Sequence, residues 1–328
     1  MNPGWTGEGS PYHSGEQALQ ERAGVRERSE RAGRRMVRDF MPEQHREFFA
    51  AQPLVVVGSL DTRERPWASL LTGCPGFMRS PDPRTLRIDA LPLARDPLAT
   101  NLAAGAPLGL LGIEFATRRR NRLNGTVVAL DAGGFELAVR QSFGNCPQYI
   151  QARSPLADAQ TAAPRTSPSP RAEARLLSDP ARQLIVCADT FFIATASARP
   201  GSDGAAEGVD VSHRGGKPGF VRVTEEGGYS VLTIPDFAGN SLFNTFGNLL
   251  VHPRAGLLFV DFDSGDLLLL TGEAEVRWEG AELAAFAGAQ RLLRFRLDEG
   301  LWLEGASRLR WTAPVQAPQL AATGSWRR

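Results

Sequence analysis

The stretch APLGLLGIEF (Ala106–Phe115) decides the fold, because PRAGLLFVDF (Pro253–Phe262) repeats it later in the chain. Both are short apolar runs, as expected of a buried β-strand. In each case the next strand closes on a glycine, Gly125 or Gly272, and these two glycines are 147 residues apart. The repeat predicts that the chain holds two copies of one β-rich unit.

The match extends on both sides of this strand. The helix-and-strand pattern of MPEQHREFFAAQPLVVVGS (41–59) returns in LSDPARQLIVCADTFFIATA (177–196). WASLLTGCPGFMR (67–79) returns in VDVSHRGGKPGFVR (209–222), which shares the tripeptide PGF. Each copy therefore reads helix, three strands, short helix and two strands, an order in which consecutive strands pair antiparallel and can close into a small barrel. The fold class predicted is mainly β with helices (α+β), with two tandem barrels.

Composition shifts along the chain set the predicted boundaries. A segment rich in Pro, Ala, Ser and Thr separates the two copies and has the character of a linker. The residues before the first copy are polar and rich in Arg and Glu, as expected of an arm with one or two surface helices. The expected division is an N-terminal helical arm (1–40), a first barrel (41–153), a linker (154–175), a second barrel (176–305) and a C-terminal tail (306–328).

The charge balance argues against several classes of partner. The 37 basic and 36 acidic residues give a net charge of +1, too small to draw the whole chain to nucleic acid or to a membrane surface. No apolar run approaches the ~20 residues that span a bilayer, and the first residues lack the pattern of a signal peptide. Three cysteines and four histidines show no disulfide or metal-ligand spacing. We expect a cytoplasmic protein with neither nucleic acid nor metal.

The second copy has the richest group of polar side chains. In DVSHRGGKPGFVRV (210–223), the side chains of Ser212, His213, Arg214 and Lys217 surround a pair of glycines, and Lys217 is the only lysine in the chain. Glycines let backbone N–H groups approach an anion, while Arg, Lys and Ser donate hydrogen bonds to phosphate oxygens. The alternative is a β-turn with solvated charges.

A second candidate segment follows in LTIPDFAGNSLFNTFGNLL (232–250). A strand ending at Pro235 leads to Asn240 and Ser241, which are good caps for a helix over Leu242–Leu250 and would place its N-terminus at a phosphate. Within that helix Asn244 shares a face with the asparagine four residues later, so both amides can meet a heteroaromatic edge. Ordinary capping and a water-facing helix are the alternatives.

The first copy contributes an arginine-rich strand, TRRRNRLNG (117–125). Alternation along a strand puts Arg118, Arg120 and Arg122 on one face. Three guanidiniums on one face need an anion, carboxylates or water, so both an anion site and a solvated edge strand fit. Nearby Cys146 is expected to be a structural thiol, because nothing in the sequence places a base beside it.

Taken together, these segments resemble the pyridoxamine 5'-phosphate oxidase-like FMN-binding split-barrel proteins. YHSGEQALQERAGV, TRRRNRLNG and QSFGNCPQYIQ resemble a longer, internally duplicated branch of that group. The resemblance implies split barrels, FMN rather than FAD held at a barrel-to-barrel interface, and a phosphate held by Arg214, Lys217, Asn240 and Ser241. Pyridoxamine phosphate oxidase itself has an Arg-Lys pair where this chain has Ser241-Leu242, which argues against oxidation of pyridoxamine phosphate here.

In such a flavoprotein the cofactor carries the chemistry, and no side chain has to be the catalyst. The resemblance implies an oxidoreductase that moves hydride or electrons between a nicotinamide donor, or a partner reductase, and an acceptor. A non-catalytic flavin carrier or sensor and a cofactor-free structural barrel are the alternatives, and heme is the weaker option for the ligand. A homodimer in the manner of the family and a self-sufficient duplicated chain both remain open.

Overall fold

The computed structural model describes residues 4–156, 170–197, 204 and 206–326. Two antiparallel sheets dominate these residues, as the predicted fold class requires. No helix among them is long and apolar enough to cross a membrane. All three cysteines are free thiols.

The first sheet holds seven strands in the order β2-β1-β5-β6-β7-β4-β3. Helix α3 (Glu43–Ala51) precedes it and the short helix α4 (Leu98–Asn101) lies between its fourth and fifth strands. The strands are β1 (Leu54–Leu60), β2 (Pro66–Thr72), β3 (Met78–Arg79), β4 (Thr85–Ile88), β5 (Pro107–Glu114), β6 (Arg119–Asp131) and β7 (Gly134–Gly144).

The second sheet repeats that order as β10-β9-β13-β14-β15-β12-β11, with β8 added beside β15. Helices α5 (Asp179–Cys187), α6 (Asn244–Val251) and α7 (Ala281–Ala284) accompany it. The strands are β8 (Arg171–Glu173), β9 (Thr190–Ala196), β10 (Val209–Gly215), β11 (Arg222–Glu226), β12 (Tyr229–Phe237), β13 (Arg254–Val260), β14 (Leu267–Arg277) and β15 (Ala289–Leu303).

The internal repeat predicted from the sequence is present strand for strand. Its two marker glycines, Gly125 and Gly272, each lie at a β-bulge. Gly125 lies where β6 pairs with β7, and Gly272 lies where β14 pairs with β15. A Cβ on Gly125 would lie 2.5 Å from the carbonyl oxygen of Ala138, so the bulge needs a residue without a side chain. Both copies thus use the same device to bend the same strand.

Four apolar clusters hold the described residues together, and the smallest of them consists of Tyr12, Val37, Phe143 and Leu242. Each sheet encloses its own core, around Phe49 and Phe135 in the first and around Phe191 and Phe295 in the second. A third cluster takes buried residues from both sheets and from the C-terminal segment, Trp67, Ile113, Phe192, Leu258 and Trp311 among them. Burial of this shared layer at ~25 cal/mol per Å² of apolar surface joins the two copies into one body.

Glycine lets the two copies approach closely. A Cβ on Gly58 would lie 2.5 Å from Cγ2 of Val211, and one on Gly256 would lie 2.5 Å from the carbonyl oxygen of Pro66. Any larger residue at either position would push the sheets apart.

The N-terminal arm has two helices that pack on the rest of the molecule. Its helices α1 (Ser14–Arg22) and α2 (Arg26–Met36) fold back on the second copy, and α1 packs against α6. The side chains of Tyr12, Glu16 and Gln20 are buried there. The contact combines these polar side chains with apolar ones, since Leu19 belongs to the core of the second copy and Tyr12 clusters with Leu242.

The predicted linker and tail also take part in the fold. Residues 157–169 of the linker lie outside the described residues, but its end forms β8, which pairs with β15. The tail returns to the first copy, where Val315 pairs with Ala152 and Trp311 pairs with Pro155. Both segments therefore join the two copies.

Candidate functional site

A cavity of about 360 Å³ opens between the two copies. Its walls come from β6 of the first sheet, from β10 and the end of β12 in the second, and from the loop that leads into α6. The turn between α1 and α2 contributes Ala23 and Val25, and α2 contributes Arg28. We call this space the inter-sheet cavity.

Nine of the eleven candidate residues from the sequence line the inter-sheet cavity, although they come from three separate segments. From the sequence, only the predicted duplication gave a reason to expect these segments at one site. They are Arg120, Arg122, Ser212, His213, Arg214, Pro235, Asn240, Ser241 and Asn244.

Lys217 and Arg118, the other two candidates, do not line the cavity. The Nζ of Lys217 donates to the backbone oxygen of Thr323 at 2.6 Å, because the C-terminal segment folds over this turn. Arg118 precedes β6 and has a left-handed backbone with φ of 59°. Its guanidinium donates to the carbonyl oxygen of Ile150 at 2.9 Å, away from Arg120 and Arg122.

Arg122 is neutralised within the protein. Its Nη1 donates to Oδ1 of Asp210 at 2.8 Å and its Nη2 donates to the Ser212 hydroxyl at 2.5 Å. The side-chain amides of Asn124 and Asn248 also donate to the Asp210 carboxylate, each at 2.8 Å. Arg122 is 2% exposed, so this network joins the two copies behind the cavity wall and leaves little of Arg122 for a ligand.

Arg214 and Arg291 share one carboxylate. Oδ1 of Asp236 lies 2.5 Å from Nη1 of Arg214, and Oδ2 lies 3.3 Å from Nε of Arg291. Burial raises the pKa of Asp236, while the two guanidiniums oppose that rise. Two cations on one carboxylate leave a net positive charge at this wall.

Arg120 has no carboxylate partner among the described residues. Its Nε donates to the Cys146 carbonyl oxygen at 2.7 Å and its Nη1 to the His213 carbonyl oxygen at 3.3 Å. Burial, assisted by the positive charges of Arg214 and Arg122, lowers its pKa to about 9. A guanidinium held only by carbonyl oxygens in a low-dielectric setting favours an anion beside it.

The loop before α6 differs from the predicted helix start. The helix begins at Asn244 instead of Leu242, with Phe243 as its N-cap at φ of 65°. Ser241 also has a left-handed backbone, at φ of 60°, and the Asn240 side chain accepts from the Leu242 N–H at 3.2 Å. The sequence had predicted that Asn240 and Ser241 cap the helix. In the structure they instead form a strained loop at the cavity.

Backbone strain concentrates around the cavity. Five described residues other than glycine have positive φ, and three of them, Tyr149, Ser241 and Phe243, line the cavity. Each such residue costs ~1–3 kcal/mol unless the surroundings hold it in place, and such strain clusters at functional sites. Tyr149 is held by stacking on Phe237, with ring centroids 5.0 Å apart.

The N-terminal arm fixes this strained loop. The amide of Gln20 donates to the Leu242 carbonyl oxygen at 3.0 Å, and the Ser29 hydroxyl donates to the Ser241 carbonyl oxygen at 3.2 Å. The side-chain amide of Asn244 donates to Glu16. Asn244 and Asn248 therefore share a face, as predicted, but their amides bond to protein groups.

His213 has an unusual environment for a buried polar side chain. Neither ring nitrogen has a hydrogen-bond partner among the described residues, and Phe115 and Phe192 pack edge-on against the ring. Burial, assisted by nearby arginines, lowers its pKa well below 6.5, so the ring is neutral at pH 7. A neutral imidazole with free nitrogens can donate to or accept from a ligand.

Sequence reasoning missed four residues that shape the cavity: Arg28, Tyr149, Asp236 and Arg291. Asp236 was visible in the quoted strand, next to Pro235. Arg291 follows α7 and carried no local signal, since only the pairing of β15 with β12 brings it opposite Asp236.

The family comparison bears on the first copy. Residues 41–167 match the sequence profile of pyridoxamine 5'-phosphate oxidase, a stretch that includes β1–β7. These residues are therefore similar to pyridoxamine 5'-phosphate oxidase. The resemblance seen in the sequence is confirmed over this stretch, and the second copy repeats the strand order of the first. No protein with a curated function matches the chain.

Several solved structures show weaker likeness. HupZ of Group A Streptococcus is 14% identical, with a TM-score of 0.29 over 37% of this chain and 90% of its own. A candidate pyridoxamine 5'-phosphate oxidase from Lactobacillus delbrueckii is 16% identical, with a TM-score of 0.26 over 32% and 95%. HutZ, described as the heme storage protein of Vibrio cholerae, is 14% identical, with a TM-score of 0.24 over 38% and 91%. At these TM-scores the likenesses carry no weight for function.

Proposed function

We propose that the inter-sheet cavity binds FMN and that the chain is an FMN-dependent oxidoreductase. The observation that carries the proposal is Arg120, a cavity-lining guanidinium whose hydrogen bonds to described residues all go to two backbone carbonyl oxygens. A charge placed in this way is stabilised by an anionic group of a ligand, and a phosphate is well matched to a guanidinium.

The charge around the cavity supports an anionic ligand. Five arginines line it, and Asp236 is the one acidic residue in the lining. Asp210 offsets one further positive charge from behind the wall. The remaining positive charge lies in a cleft with low-dielectric walls, which strengthens its attraction for a phosphate. The five are Arg28, Arg120, Arg122, Arg214 and Arg291.

The other walls fit a planar, partly apolar ring system. The cavity volume of about 360 Å³ is within the range of small-molecule and cofactor sites. Tyr149 and Phe237 form a stacked pair at one side, and the neutral His213 lies at another. Aromatic faces and a neutral imidazole suit a heteroaromatic ring better than a second charged group.

The protein groups of this site bind and orient, while the chemistry belongs to the cofactor. When bound, FMN supplies hydride or electron transfer. Arg120, with support from Arg214, would hold the phosphate. The strained loop at Ser241, fixed by the N-terminal arm, would set the position of the ring, and the neighbouring apolar layer would limit access of water.

The proposal is tested by the visible absorbance of the purified protein, with chromatography of the chromophore that heat releases. We expect a flavin spectrum and released FMN. A colourless protein that also fails to bind added FMN contradicts the proposal. Steady-state oxidation of NADH or NADPH by the flavin-loaded protein then separates an enzyme from a non-catalytic carrier or sensor.

Heme is the second candidate ligand, and the unpartnered nitrogens of His213 favour it. A neutral imidazole is a common iron ligand, and arginines bind propionate groups. A Soret band in the same spectrum, lost in His213→Leu, would favour heme over FMN.

A further inference from the structure

The duplication requires a second place in the molecule that is equivalent to the inter-sheet cavity. The strand order of the two sheets is the same, so strand pairing identifies equivalent positions residue by residue. On β5, Leu111 lies between Val56 of β1 and Arg122 of β6. In the second sheet, Leu258 lies between Phe192 and Leu269. Arg122 is therefore equivalent to Leu269.

The other cavity-lining cations follow from the same registers. Two residues after Leu111 on β5, Ile113 pairs with Arg120 of β6. Two residues after Leu258 on β13, Val260 pairs with Leu267 of β14. Leu267 is thus the equivalent of Arg120. In the same way the edge strands β2 and β10 align, so that His213 and Arg214 are equivalent to Leu70 and Leu71.

The polar residues behind these positions were kept in both copies. The amide of Asn248 donates to the Thr195 hydroxyl at 3.0 Å, and in the first copy the amide of Asn101 donates to the Ser59 hydroxyl at 2.9 Å. The asparagine–hydroxyl pair behind the site is therefore present in both copies. The positions that carry arginines at the inter-sheet cavity carry leucines at the equivalent place.

The leucines fill the second place. Leu267 and Leu269 are 2% and 0% exposed, and both belong to the apolar layer shared by the two sheets. Trp67 and Leu309 are buried in the same layer. A guanidinium at these positions would be buried in an apolar layer without water, and the leucines leave no room there for a phosphate.

We infer that the chain has one anion-binding site and that its symmetry-equivalent site has been closed by leucine, so that each chain binds a single FMN. This inference rests on the proposed function for the identity of the ligand, but the closure of the second place does not. The first copy supplies the unpaired Arg120, and the second supplies most of the remaining wall.

A pair of exchanged substitutions tests the closure without any ligand. Arg120→Leu and Leu267→Arg place the same two residues at the two equivalent positions of the full chain. We expect Leu267→Arg to lower the melting temperature by about 5 °C or more, because it buries a charge in the apolar layer, and Arg120→Leu to leave the melting temperature unchanged or higher. Leu267→Met is the matched control, and we expect it to melt close to the wild type.

Titration with FMN tests the number of sites. We expect saturation at one FMN per chain, measured by flavin fluorescence against protein concentration from absorbance. Two FMN per chain would overturn the inference and leave the proposed function standing. A Leu267→Arg variant as stable as the wild type would also overturn it. Absence of FMN binding would contradict the proposed function, while the exchanged substitutions still decide whether the second place is closed.

Discussion

Replacing Arg120 by methionine should weaken FMN binding sharply, because this residue has the cavity's unpaired charge. A hydrogen bond to a charged group contributes ~1.5–3 kcal/mol, which corresponds to a loss of about 10- to 150-fold in affinity. No described carboxylate pairs with Arg120, so its removal leaves no acidic side chain without a partner. The whole loss of free energy should therefore appear as weaker binding of FMN. Methionine keeps the length and the apolar stem of the side chain, which limits repacking.

The assay is a fluorescence titration of FMN into the ligand-free protein and its variants. Arg119→Met is the matched control. Arg119 directly precedes Arg120 in β6, is exposed and does not line the cavity. Arg120→Lys keeps the charge without the planar fork, and we expect an intermediate affinity. A dissociation constant for Arg120→Met within threefold of the wild type, with Arg119→Met also unchanged, would refute the assignment of the phosphate to Arg120.

Three further predictions concern pH and packing. FMN affinity should fall as pH rises through about 9, since Arg120 loses its proton there, and a titration series across pH 7 to 10 measures this. Burial lowers the pKa of His45 to about 4, so this residue takes up its proton in the unfolded chain before it does in the folded protein. Its contribution should lower the free energy of unfolding by about 3 kcal/mol between pH 6.5 and pH 4. Urea melts at a series of pH values should show that His45→Gln reduces the slope of the unfolding free energy against pH in this range. The same slope in the wild type and the variant would contradict the prediction. Gly58→Val should lower the unfolding free energy by ~1–3 kcal/mol in urea melts, because its Cβ meets Val211 between the sheets, and a neutral result would contradict the close approach.

The repeated strands were predictable because apolar runs and glycine bulges are local features. The sequence predicted a buried strand within Ala106–Phe115, and the structure has β5 over Pro107–Glu114. It missed β7 (Gly134–Gly144), although burial alternates along part of that strand and a glycine turn precedes it. Alternation also placed Arg120 and Arg122 on one face correctly, and failed at Arg118 because the strand begins one residue later.

Long-range polar contacts could not be predicted from local patterns. The only lysine suggested a phosphate ligand, but its partner is a carbonyl oxygen 106 residues away. The N-terminal arm has few apolar anchors and still packs tightly, since Glu16 and Gln20 bond to the loop and helix at the cavity. The pairing of Arg214 with Asp236 likewise depends on two strands that only the sheet brings together.

The central claim is that the inter-sheet cavity recognises the phosphate of a flavin. The most direct measurement compares the dissociation constants of FMN and riboflavin, which share the ring system and differ by the phosphate. The account predicts that wild type binds FMN at least about tenfold more tightly than riboflavin and that Arg120→Met removes most of this difference. Equal affinity for the two flavins in the wild type would contradict it.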